Sequence, residues 1–130
     1  MNPNKELMQR IFAGLEQGDS RLFVESMADD FAWTVTGGTP WSKTYAGKQA
    51  VLGELFGGLR ERVQGRMTTI PDRFIAEGEF VVVECHGLNT TKSGKPYNNR
   101  YCWVCRFRDG KMVELVEYMD TELVRSALGG

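Results

Sequence analysis

The sequence predicts an α+β fold, with N-terminal helices on one face of a curved, mainly antiparallel sheet. Three observations carry this expectation. Apolar residues recur at helical spacing up to residue 63, and strand-type patterns follow from residue 66 onward. Asp109-Gly110 then sits between two apolar runs, a strong hairpin signal because both residues tolerate the positive φ that tight hairpin turns need. Helices followed by a run of strands is the order of an α+β protein.

Asn2-Pro3 reads as an N-cap with proline at the first helical position, where its missing N–H costs nothing. Leu7, Met8, Ile11, Phe12 and Leu15 keep helical spacing, and Gly18 ends the helix. Residues 19–28 open on Asp-Ser and predict a second, short helix, and FAWTVT at 31–36 predicts a strand. GGTPWSKTYAG reads as a loop by its glycines and proline, although it carries Trp41 and Tyr45. A third helix is expected over 47–63. Gly57-Gly58 inside it should cost about 1 kcal/mol each relative to alanine, which suggests close packing, a bend or fraying. Strands are expected at 66–76, 79–91, 95–108 and 111–120, with turns at Glu77-Gly78, Ser93-Gly94 and Asp109-Gly110.

The bulk composition fits a single domain over 1–130: 42% of residues are hydrophobic and 25% charged. Sixteen basic and 17 acidic residues are intermixed for a net charge of −1, so no basic stripe invites nucleic acid. The first ten residues lack the apolar core of a signal peptide, and no run approaches membrane-spanning length. With three cysteines, the expectation is a cytoplasmic protein. No phosphate-binding glycine motif occurs and His86 is the only histidine, so neither a nucleotide cofactor nor a metal site is expected.

Side chains alternate between the faces of a strand, which sorts the candidates for chemistry. Cys102-Trp103-Val104-Cys105 resembles a redox or zinc pair, yet its two thiols point to opposite faces of a continuous strand pattern. Tyr97, Asn99, Tyr101, Trp103, Cys105 and Phe107 share the aromatic face. Asn98, Arg100, Arg106 and Arg108 lie on the opposite, largely cationic one. Glu84 and His86 share a face of the preceding strand, and a carboxylate beside an imidazole is a plausible acid/base pair. The competing reading makes that face solvated and Val81, Val83 and Cys85 the core side. Asp120 ends the last strand before Thr121-Glu122, where it can equally cap a C-terminal helix.

The aromatic strand with Trp33, Tyr45-x-Gly47-Lys48, and Phe-Ile-Ala-Glu-Gly at 74–78 recur in a familiar order. With Gly-Lys-Pro-Tyr-Asn-Asn at 94–99 and the 108–121 segment through Glu-Tyr-Met-Asp-Thr, the whole chain resembles the SnoaL-like branch of the nuclear transport factor 2-like superfamily. That superfamily includes ketosteroid isomerases. The resemblance implies a cone-shaped, cystatin-like fold with an apolar pocket between helices and sheet. It implies cofactor-independent acid/base chemistry by an isomerase, cyclase, dehydratase or epoxide hydrolase, or else a non-catalytic binding module for an apolar or polycyclic molecule. Asp120 occupies the place of the aspartate that acts as base or water activator in cyclases and epoxide hydrolases of this fold. The Arg-x-Asp of those hydrolases is replaced by Val83-Glu84-Cys85-His86-Gly87. The expected catalytic set is therefore Asp120, His86 and Glu84. Trp33, Trp41, Tyr45, Phe56, Asn99, Tyr101, Trp103 and Tyr118 are expected around the pocket. A homodimer formed through the outer sheet face is also implied.

Overall fold

The computed structural model describes residues 2–129. Helix α1 (Pro3–Leu15) starts as expected, with Asn2 Oδ1 accepting from the N–H groups of Asn4 and Lys5 at 3.0 and 3.2 Å. Its buried stripe is Met8, Ile11, Phe12 and Leu15. Helix α2 is only Arg21–Glu25. The expected helix over 19–28 is cut short because Met27 is buried and pairs with Met112, so β1 (Met27–Val35) begins early. That non-local pairing outweighs the local helical pattern.

After β2 (Thr44–Ala46), a continuous helical stretch comprises α3 (Lys48–Ala50), a π-helical segment Val51–Phe56 and α4 (Gly57–Arg62). Strand β2 lies inside the segment read as a loop. It pairs antiparallel with β1, with Tyr45 opposite Trp33. Then come β3 (Thr69–Glu77), β4 (Phe80–Gly87), β5 (Arg100–Arg108), β6 (Lys111–Met119) and helix α5 (Thr121–Leu128). Strands β4 and β5 are shorter than their sequence patterns. Between them, side chains replace ladder bonds: Asn99 Oδ1 accepts from the Arg100 N–H, and Asn98 Oδ1 from the Asn89 N–H.

The six strands form one sheet in the order β2-β1-β6-β5-β4-β3, antiparallel except for the β1–β6 pair. The helices pack on one face of this curved sheet, as the sequence predicts. Trp103 of β5 is the hub of the buried layer. Phe23 stacks on it at 5.7 Å, Phe12 lies at 5.5 Å, and Trp33 meets it edge-on at 5.3 Å. Aromatic pairs at such separations add about 0.5–1.5 kcal/mol beyond the area they bury.

Of the two glycines that open α4, Gly58 has a packing reason. A Cβ on Gly58 would sit 2.9 Å from the Trp41 ring, so only glycine lets that indole lie against the helix. Gly58→Ala should therefore lower stability by about 1–2 kcal/mol in denaturant unfolding, even though alanine is the better helix former by about 1 kcal/mol. An equal or higher stability would show that the ring yields freely.

Candidate functional site

The expected catalytic trio does not converge. On β4, Val81, Val83 and Cys85 are buried, which turns Glu84 and His86 to the opposite, outer face of the sheet. There Arg73 Nε donates to Glu84 Oε1 at 2.9 Å, and His86 Nδ1 lies 2.8 Å from Asp72 Oδ2. Asp120 is exposed and serves as the N-cap of α5, its Oδ1 accepting from the Glu122 and Leu123 N–H groups at 3.0 and 3.2 Å. Alternation explains the outcome: the apolar half of β4 takes the core side, and its charged half must face water. Tyr118, expected at the pocket, is also on the outer face and 50% exposed.

The sheet instead brings together Trp33, Trp103 and Glu117. Trp103 and Glu117 are directly opposite each other on β5 and β6, while Trp33 on β1 pairs with Leu115. Glu117 is 8% exposed. Trp33 Nε1 donates to its Oε1 at 3.3 Å and Trp103 Nε1 to its Oε2 at 2.9 Å. The two influences on this carboxyl oppose one another. Burial disfavours the charged form and the two indole N–H groups favour it; burial wins and pushes the pKa up to about 7. A group half-ionised near neutrality can both accept and release a proton without a large penalty.

Glu117 lies on the wall of a cavity of about 40 Å³, room for about three water molecules. Tyr97, Tyr101 and Trp41 give it aromatic walls, Leu59 and Met67 add apolar surface, and Val124 and Leu128 of α5 close one side. Of the expected pocket residues, Trp41 and Tyr101 line this cavity. Trp33 and Phe56 belong to the aromatic layer beside it, with ring centroids 5.6 Å apart. Tyr45 is buried and its hydroxyl donates to the Trp41 carbonyl at 2.8 Å, holding the loop that presents that ring.

Asn99, the polar member of the aromatic face, is fully buried and works as a clamp. Its Nδ2 donates to the Asp120 carbonyl and its Oδ1 accepts from the Asp120 N–H, both at 3.0 Å. It thereby fixes the junction from which α5 departs. The cysteines behave as their strand positions require: Cys102 is half-buried on the outer face, Cys105 is buried inside, and both are free. Among the described residues no three His, Cys, Asp or Glu side chains group as a metal site, and no helix is long and apolar enough to cross a membrane.

Sequence reasoning missed Glu117, although a signal was present. Alternation places it with Val113, Leu115 and Met119, and a lone carboxylate on an otherwise apolar strand face is the pattern of a buried acid.

The raised pKa of Glu117 has a signed consequence. Above pH 4.5 the unfolded chain releases this proton while the folded one retains it. The stability tied to its neutral form is complete below about 4.5 and is lost as pH rises to about 7. The loss amounts to about 3 kcal/mol. The stability difference between wild type and Glu117→Gln, from denaturant midpoints, should fall by that order across this window and then level off. A difference independent of pH would contradict the raised value.

A family model described as a SnoaL-like domain matches residues 8–115. No curated protein matches the chain. Among solved structures it is similar to a nuclear transport factor 2-like protein of unknown function from Burkholderia pseudomallei, at 22% identity, TM-score 0.85 and full coverage of both chains. It is also similar to another such protein from Burkholderia thailandensis, at 25% identity and TM-score 0.83, covering 98% of each chain. TerC, crystallised with polyporic acid, matches at 23% identity and TM-score 0.81, with 99% of this chain and 100% of that one covered. The matched span takes in Trp33, Trp103 and the strands that hold them, and the chain belongs to the SnoaL-like domain family within the nuclear transport factor 2-like superfamily.

Proposed function

We propose that this protein carries out cofactor-independent acid/base chemistry on a small, largely apolar molecule, with Glu117 as the proton-transferring group. The observation that carries this reading is the position of Glu117, a buried carboxyl on the wall of an aromatic cavity, with both oxygens held by indole N–H donors. Held in this way, the carboxyl needs little reorganisation during a proton transfer, which is how an enclosed site lowers a barrier. Isomerisation, cyclisation and dehydration of carbonyl compounds all begin with such a transfer. The three free cysteines suit a reducing, cytoplasmic setting.

A second reading, a non-catalytic binding module for an apolar or polycyclic molecule, draws support from the TerC structure with polyporic acid. Hydrogen exchange separates the two. Small carbonyl compounds incubated in heavy water with the protein should exchange their α-hydrogens, and Glu117→Gln should slow this by at least about 10²-fold. Ligand binding without exchange would favour the binding module, and equal rates in both proteins would remove Glu117 from the chemistry.

The protein is further proposed to act as a homodimer through its outer sheet face. Ile75, Val82, Val104 and Val116 are successive cross-strand partners there and form one apolar row over four strands. Charged rows flank it on both sides, with Arg73 and Glu84 on one and Arg106 and Glu114 on the other. Such mixed charge suits a self-complementary contact. Val104→Glu should shift the sedimentation mass from dimer to monomer while leaving the circular dichroism unchanged; a monomeric wild type would refute the dimer.

A further inference from the structure

Glu117 is the only carboxyl among the described residues that line the cavity, and no lysine, arginine or histidine lines it. Its hydrogen-bond partners are the Trp33 and Trp103 indoles, which satisfy one lone pair on each oxygen and supply no charge. Arg62 packs over the Trp41 ring at 5.9 Å, but its Nη1 donates to the Leu128 carbonyl at 2.8 Å and it is not part of the cavity wall. The cavity thus joins a single buried carboxyl to the rings of Trp41, Tyr97 and Tyr101. Aromatic faces attract cations through the ring quadrupole, and a desolvated carboxylate gains most from a partner of opposite charge.

We propose that this cavity takes a small organic ammonium ion, the protonated form of an alkylamine, with Glu117 as its counter-ion and the three rings as its cage. The ion's apolar part would lie against Leu59, Met67 and Leu128. The room available, about 40 Å³, suits an ion of about three to five heavy atoms. This inference rests on the reading of the Glu117 cavity as the working site and adds a protonated amino group to the small, largely apolar molecule proposed to enter it.

Isopropylammonium and propan-2-ol are matched in size and differ in charge, so they isolate the carboxylate's contribution. Amide and indole NMR shifts followed during titration report binding without requiring turnover. At about pH 8, where Glu117 is ionised, the ammonium ion should bind at least about tenfold more tightly than the alcohol. At about pH 5.5 that preference should disappear, because Glu117 is then neutral. The other titratable groups that sense Glu117 are Tyr45, Tyr97, Tyr101 and Cys85, and burial holds all four neutral across this range. Glu117→Gln should abolish the preference at both pH values; if that variant fails to fold, the wild-type pH pair decides alone. Equal affinity for the two probes, or no binding of either at about pH 8, overturns the proposal. Exchange activity that persists without ammonium binding removes only this inference. Ammonium binding without exchange removes only the proton-transfer reading.

Discussion

Two indole N–H groups hold Glu117, the single side-chain carboxyl buried among the described residues, and much of the inner architecture follows from that bridge. A buried carboxyl without partners would be costly, by several kcal/mol if ionised. Trp33 and Trp103 make it tolerable, and they reach it only because β1, β6 and β5 lie side by side. The parallel β1–β6 pair is therefore a condition of the site as well as of the sheet. The same two rings anchor the aromatic layer that carries α1 and α2, through Phe12 and Phe23. Site and core share their main side chains, so a change at Trp103 acts on packing and on the carboxyl together.

The remaining walls are supplied by segments that the sheet alone does not fix. Trp41 reaches the cavity from a loop held by the Tyr45 hydroxyl, and it fits because Gly58 leaves its helix bare at that point. Helix α5 closes one side with Val124 and Leu128, and four polar ties hold it: Asn99 grips Asp120, Arg62 donates to the Leu128 carbonyl, Lys95 donates to the Ser126 carbonyl, and Arg125 donates to the Gly38 carbonyl. Asp120, a catalytic candidate by sequence, and Asn99, a pocket candidate, thus take structural tasks at the margin of the site. Asn99 has both amide hydrogens and both carbonyl lone pairs engaged in this way.

The outer sheet face carries the other half of the charged inventory. Glu84, His86, Arg106 and Glu114 have partners there that are at least partly exposed, where ion pairs are worth about 0–1 kcal/mol. Their value lies in surface character more than in stability. They leave the apolar row of Ile75, Val82, Val104 and Val116 framed by both signs of charge.

Local chemistry legible in the sequence set the α+β order, the Asn2 cap, the Asp109-Gly110 turn, the split of Cys102 from Cys105 and the grouping of the aromatic side chains on one face of β5. These depend on short-range rules: capping, turn dihedrals and strand alternation act over a few residues. Alternation also offered two faces for Glu84 and His86, but which face meets the helices is a question between elements. The answer came from the whole sheet packing its Val81, Val83 and Cys85 side against α1. Strand β2, the early start of β1 and the burial of Glu117 were decided in the same way. The last two depend on partners far along the chain, Met112 for Met27 and Trp33 for Glu117, the latter 84 residues away. The sequence by itself determined which side chains share a strand face; the tertiary structure alone decided which faces are enclosed, because burial is a property of packed layers.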